Sequence, residues 1–150
     1  MSTPTPAISV IMSVKNGADC ISRSIASIQS QSFTDWEMLI CDDGSTDETY
    51  NRLCEIAEKD SRVRILRNKE SLGLAFSLNR CIEEAKSNIL ARQDADDWSA
   101  ENRFEVQYPF VVSHPEYAIV GTGWFNVLES GDITPVDVME EPKAIDQVKG

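Results

Sequence analysis

Ile8-Ser-Val-Ile-Met-Ser-Val14, followed at once by Lys15-Asn-Gly17, is the stretch from which the fold can be read. It is rich in β-branched residues and ends on an Asn-Gly turn, so a buried strand suits it better than a helix. The next segment, roughly Asp19 to Gln31, sets Ile21, Ile25 and Ile28 at helical spacing on one face. The pattern then repeats. Trp36 to Cys41 reads as a second strand, and Thr46 to Asp60 as a helix whose Tyr50, Leu53, Cys54 and Ala57 form an i, i+3, i+4, i+7 stripe. Val63 to Leu66 is a third strand. A loop through Gly73 leads to a helix bearing Leu74, Leu78, Cys81, Ile82 and Ala85, and Ile89 to Gln93 is a fourth strand. Strands alternating with helices predict an α/β fold: an open, mostly parallel sheet with helices on both faces.

Further along, Ser99 reads as an N-cap for a helix starting near Ala100, which Pro109 is expected to break or kink. Another strand is expected over Ala118 to Thr122. Beyond Leu128, Gly131, Pro135 and Pro142 interrupt an acidic stretch in which only Lys143 to Val148 has the pattern of a helix start. The expected organisation is a flexible leader at 1–7, an α/β domain at 8–128 and an irregular acidic tail at 129–150.

Composition narrows the partners. The chain has 150 residues, 41% of them hydrophobic, enough for one domain with a continuous core. Asp and Glu number 25 against 14 Lys and Arg, a net charge of −11 that repels a polyanion, so nucleic acid is excluded as a partner. An anionic small ligand needs a divalent cation or backbone N–H groups to offset that charge. Cys20, Cys41, Cys54 and Cys81 form no C-x-x-C pair and read as free thiols of a reducing compartment. The longest apolar run, near Ile8 to Val14, is too short to span a bilayer, and no signal-like core follows the N-terminus. A cytoplasmic domain is expected, at the inner membrane face in the setting of a longer protein.

Each predicted strand runs into a polar cluster: Ser13 to Asn16, Asp42 to Asp47, Arg67 to Glu70, and Asp94 to Asp97. Parallel strands would bring all four to one edge, where open α/β sheets bind ligands. Asp94 and Asp96 are two apart in an extended segment, so their carboxylates are expected on one side and Asp97 on the other. Two such carboxylates repel unless a cation joins them, and Mg²⁺ or Mn²⁺ accepts one or two carboxylates together with diphosphate oxygens. The same residues also suit a solvated acidic turn. Asp43 can accept a hydrogen bond from a base N–H while Asp42 braces the loop, although Asp and Gly are equally what a tight turn needs. Arg92 reads as a structural ion-pair partner, Lys15 as a second cation near the acidic edge, and His114 as a loop residue. Trp36, Trp98 and Trp124 read as core or rim residues.

Together, Ser9-Val-Ile-Met-Ser-Val-Lys-Asn16, Asp42-Asp-Gly-Ser-Thr-Asp47, Asn68 through Gly73-Leu-Ala75 with Asn79, and Ala91-Arg-Gln-Asp-Ala-Asp-Asp97 resemble the N-terminal portion of glycosyltransferase family 2, over about Ile8 to Gly123. The resemblance implies a GT-A-type nucleotide-diphospho-sugar fold, inverting transfer from a UDP-type donor to a carbohydrate, lipid or protein acceptor, and a Mn²⁺ or Mg²⁺ requirement. Carried over by position, Ser13 and Asn16 would line the nucleoside pocket, Asp43 would contact the base, and Asp96 would ligate the metal with Asp94 beside it, near the ribose or a metal-bound water. Lys15 stands where relatives often show Tyr, and Leu78 where many show Arg, which bears on base stacking and on a phosphate contact. No residue here matches the family's general base, which is expected beyond Gly150, so the catalytic base is unassigned. Two alternatives stand beside sugar transfer: donor and metal binding without turnover, and nucleotidyl transfer. The latter expects a Gly-rich basic loop after strand one, for which Lys15-Asn-Gly-Ala18 is meagre.

Overall fold

A computed structural model describes residues 5–123, 125–128 and 132–135. They fall into two units, Met1–Ser113 and His114–Gly150. In the first, the elements run β1 (Ile8–Val14), α1 (Ile21–Gln29), β2 (Trp36–Asp42), α2 (Thr49–Lys59), β3 (Val63–Arg67), α3 (Leu74–Glu84), β4 (Leu90–Arg92) and α4 (Arg103–Ser113). The sheet order is β3-β2-β1-β4 with every pairing parallel. This is the open α/β architecture expected.

The alternation of side chains along β1 and β2 builds two cores. Val10, Met12, Val14, Met38 and Ile40 face α1 and α2, joined by Ile21, Ile25, Ile28 and Leu53. Those three α1 isoleucines are 0% exposed, the helical stripe legible in the sequence. Fully burying such an aliphatic side chain contributes about 1.5–3 kcal/mol. Ile11, Leu39 and Cys41 point the other way, onto Cys81 of α3 with Leu78 and Ala85 packed alongside. Helices thus cover both faces.

Several local expectations change. Along α3 only Cys81 of the expected stripe is fully buried, whereas Leu74 is 53% exposed and Ile82 43%. The stripe is broader than the strip of sheet beneath it, and the small polar Ser77 takes a buried position instead. Ser99 is not an N-cap: its hydroxyl bonds Gln93 and Arg103, and the helix begins later, at Arg103. Pro109 lies inside α4 without ending it. Ala118 to Thr122 forms no strand. Ile119 is 87% exposed, and no neighbouring strand among the described residues pairs with it.

In the second unit, β5 (Phe125–Val127) and β6 (Ile133–Pro135) form an antiparallel pair the sequence did not suggest. Trp124 and the expected helix at Lys143 to Val148 lie outside the described residues. No helix among the described residues is long and apolar enough to cross a membrane.

Candidate donor cleft at the sheet's switch point

The chain steps from β1 to β2 to β3 in one direction, then returns through α3 to place β4 on the other side of β1. Such a reversal leaves a crevice beyond the ends of the two strands that part, here β1 and β4, because the connections leaving them go opposite ways. A cleft of about 360 Å³ lies there, lined by Ser13 to Gly17 at the end of β1 and just past it, by Arg92 and Asp94 to Asp96 at the end of β4 and just past it, and by Cys20 and Leu74. Two segments some eighty residues apart in sequence meet because their strands are hydrogen-bonded neighbours.

The β1–α1 turn is held rigidly. Asn16 adopts φ 52°, a left-handed conformation that Asn tolerates better than most residues. Its backbone N–H donates to Ser45 Oγ at 2.9 Å, and its Oδ1 accepts from Thr46 N at 2.9 Å. Gly17 N–H donates to Thr49 Oγ1 at 2.9 Å. A Cβ on Gly17 would meet Val14 Cγ2 at 2.6 Å, so a side chain there would force the buried Val14 to shift. Asn16 therefore lines the cleft while its side chain clasps the β2–α2 loop. Asp47 completes the clasp, accepting from Thr49 N and from Ala18 N.

Across the cleft, Asp94 to Asp97 form a turn, with Asp97 N–H donating to Asp94 O at 3.3 Å, rather than the extended segment expected. Asp94 and Asp96 nevertheless both reach the cleft and Asp97 does not line it. Arg92 grips Asp94 with two bonds, Nε to Oδ1 at 2.8 Å and Nη2 to Oδ2 at 3.1 Å, the structural ion pair read from sequence. The Asp96 carboxylate, the Ser13 hydroxyl and the Lys15 ammonium have no hydrogen-bond or ion-pair partner among the described residues, which leaves them open to a ligand. Burial raises the Asp97 carboxyl above its usual range, the charges of Asp96 and Asp94 push it the same way, and Arg92 only partly offsets them. The turn thus carries surplus negative charge.

Among the described residues, no group of three His, Cys, Asp or Glu forms a closed metal site. The two-carboxylate donor set still fits Mg²⁺ or Mn²⁺, which completes its shell with phosphate oxygens and water. Asp96 is the unpaired carboxylate of the two, and Asp94, tied to Arg92, stands beside it.

Gln93, missed by the sequence reading, supports this turn. It is 3% exposed, and its Nε2 donates to Asp97 O at 3.0 Å and to Asp94 O at 3.3 Å. Its Oε1 accepts from Ser99 Oγ at 2.7 Å and Arg103 Nη1 at 3.1 Å. Ser24 Oγ of α1 also donates to Asp94 O, at 2.8 Å. The one available signal was a polar side chain at an inward-facing position at the end of β4. Nearby, the Arg23 guanidinium stacks 3.4 Å over the Trp98 ring, making Trp98 a half-covered rim residue.

Asp43 lies at the same sheet edge but not in the cleft lining. It is 3% exposed, beneath the β3–α3 loop. Its Oδ1 accepts from Asn68 Nδ2 at 2.6 Å, Leu72 N at 2.8 Å and Ser77 Oγ at 2.9 Å, and its Oδ2 from Ser71 Oγ at 2.7 Å and Gly73 N at 3.0 Å. Burial works to raise its carboxyl, but these donors outweigh it and hold the group far below the usual carboxylate range. Asp42, fully buried, braces the β2–α2 loop: Oδ1 accepts from Ser45 N at 3.3 Å, and Oδ2 lies 3.2 Å from Arg67 Nε, in ion-pair range but off hydrogen-bond geometry.

An open parallel sheet with a cleft at its switch point defines a class, the doubly wound α/β domains. The particular family follows from comparison: the model of glycosyl transferase family 2 matches residues 9–147, and the chain belongs to that family. EpsE of Bacillus subtilis, a glycosyltransferase by name, is 43% identical over 119 residues, which are 79% of this chain and 43% of EpsE. WfgD of Escherichia coli, named as a UDP-Glc:α-D-GlcNAc-diphosphoundecaprenol β-1,3-glucosyltransferase, is 34% identical over 107 residues, 71% of this chain and 42% of WfgD. The chain thus spans less than half the length of either relative. Among solved structures, S. aureus TarS 1-349 in complex with UDP-GlcNAc matches with a TM-score of 0.67 at 22% identity over 72% of this chain and 32% of TarS, a likeness of fold. The mannosyltransferase PcManGT of Pyrobaculum calidifontis, in complex with GDP-Man and Mn²⁺, matches with a TM-score of 0.60 at 28% identity over 66% of this chain and 30% of that one.

Proposed function

We propose that this chain is the donor-binding part of an inverting, metal-dependent glycosyltransferase that moves a sugar from a nucleotide-diphospho-sugar, of UDP type, to an acceptor hydroxyl. The observation that carries this is the meeting of open Ser13, Lys15 and Asp96 groups, with Asn16 and Asp94, in one cleft where β1 and β4 part. Ser13 and the Asn16 turn line the nucleoside side. Asp96, with Asp94 beside it, would hold Mn²⁺ or Mg²⁺, which when bound there neutralises the diphosphate leaving group. Arg92 keeps Asp94 oriented, and the Gln93 network keeps the turn from relaxing away from the ligand. Support for a UDP donor comes from the UDP-Glc in the name of WfgD and the UDP-GlcNAc in the TarS complex, and for the ion from the Mn²⁺ in the PcManGT complex. Deprotonation of the acceptor is assigned to no residue of this chain.

Calorimetric titration of UDP with and without Mn²⁺ tests the assignment. The wild-type chain is expected to bind UDP at least tenfold more tightly with Mn²⁺, about 1.4 kcal/mol, and Asp96→Ala to lose that dependence while keeping its melting temperature. Equal Mn²⁺-dependent affinity in Asp96→Ala and wild type would rule out Asp96 as the ligand.

A further inference from the structure

We propose that the Lys15 ammonium binds the diphosphate of the nucleotide in the cleft and supplies the part of its affinity that no metal ion provides. The inference rests on the donor-cleft reading above and extends it to the charge that faces the phosphates.

A strand-to-helix turn can grip phosphate through backbone N–H groups, through a cationic side chain, or through both. The β1–α1 turn has little backbone left to offer. Asn16 N–H donates to Ser45 Oγ, Gly17 N–H to Thr49 Oγ1 and Ala18 N–H to Asp47 Oδ2, while the Cys20 and Ile21 N–H groups both turn back onto Gly17 O. Side-chain cations remain, and among the described residues Lys15 and Arg92 are those that line the cleft. Arg92 is committed to Asp94 by two hydrogen bonds, so its charge is already balanced. Lys15 is exposed, and its ammonium has no partner among the described residues. Its backbone, by contrast, is fixed between Val14, whose carbonyl accepts from Asp43 N at 2.8 Å, and the clasped Asn16. A rigid root with a free four-carbon stem lets the ammonium reach into the cleft from the β1 wall.

Charge balance makes the same assignment. A nucleotide-diphospho-sugar carries a negative charge on each phosphate, and one divalent cation cancels both. Asp94 is answered by Arg92, which leaves the Asp96 carboxylate in excess. The Lys15 ammonium offsets that excess, and its three rotatable donors suit phosphate oxygens.

UDP and uridine, alike except for the phosphates, separate a diphosphate contact from a nucleoside contact. Affinities are measured with Mn²⁺ present for the wild-type chain, Lys15→Met, Lys15→Arg and Lys69→Met, each checked for folding by circular dichroism. Lys69 is an exposed lysine after β3, outside the cleft lining. Expected are a roughly tenfold loss of UDP affinity in Lys15→Met, no change for uridine, most of the affinity kept in Lys15→Arg, and no change in Lys69→Met. The UDP gap between wild type and Lys15→Met should also narrow as salt is raised, since an exposed ion pair is screened. Unchanged UDP affinity in folded Lys15→Met overturns the proposal. So does equal weakening of UDP and uridine, which would put Lys15 on the nucleoside, or equal weakening in Lys69→Met, which would reduce the effect to net charge. Where uridine binds too weakly to measure, the salt series decides, and a gap that stays constant from low to high salt overturns the proposal too. Failure of the wild-type chain to bind UDP would count against the donor-cleft reading itself.

Discussion

At the scale of single residues, the acidic groups divide into those that hold the fold and those left open for a ligand. Asp43 and Asp60 belong to the first kind. Asp60 is held down to about 2, chiefly by hydrogen bonds from the Arg62 side chain against the opposing effect of burial. Both carboxyls thus sit below the value of about 4 expected when unfolded. Their contribution to stability is complete above that value and is lost as pH falls through the folded-state values. Urea midpoints are therefore expected to stay level from pH 7 to about 5 and to decline below about pH 4, with Asp60→Asn removing part of the decline. An identical acid limb in Asp60→Asn and wild type would show that the Asp60–Arg62 pair adds nothing. Asp96 has no such internal partner, so its substitution should cost ligand affinity and little stability.

At the scale of elements, the acidic turn after β4 is an assembly rather than a lone motif. Gln93, Ser24, Ser99 and Arg103 bind its carbonyls and each other from the β4–α4 connection, α1 and the start of α4. Replacing Gln93 by Leu removes its bonds to this turn at a cost of about 1–3 kcal/mol in all, since Ser24 still bonds Asp94 O and Arg103 still bonds Ser99. We expect the melting temperature to fall by roughly 5–10 °C, and Mn²⁺-dependent UDP binding to weaken even where the variant is fully folded. Unchanged binding in folded Gln93→Leu would show that the turn keeps its shape without this support. The periodicities of α1 and β1 were legible in the sequence because Ile21, Ile25 and Ile28, and the alternating residues of β1, face a continuous core. The Gln93 network was not, since its bonds to Asp97, Ser99 and Arg103 form within an irregular segment and its tie to Ser24 joins distant stretches of chain, neither of which leaves a periodic pattern. α3 misled for a related reason: its apolar residues exceed the area of sheet it covers, so Leu74 faces the cleft and Ile82 faces outward. Asp43 was visible as a strand-end carboxylate, but its engagement by the β3–α3 loop depends on Gly44 admitting that loop, a fact of packing and not of spacing.

At the scale of the whole molecule, the parallel order β3-β2-β1-β4 determines where chemistry can gather. β1 and β4 deliver one wall each, and the reversal between them keeps the space beyond their ends free of crossing chain. A second groove, lined by Arg67, Lys69, Leu72, Phe76 and Arg80, lies on the far side of the β3–α3 loop and has no place in the donor reading. The location of the nucleotide is therefore the point on which the account turns. Amide chemical-shift mapping of the isotope-labelled chain titrated with UDP and Mg²⁺ measures it directly. The largest perturbations are expected in Ser13 to Gly17 and Asp94 to Asp96; perturbations centred on Arg67 to Lys69 and Phe76 to Arg80, with the β1 and β4 ends silent, would contradict it.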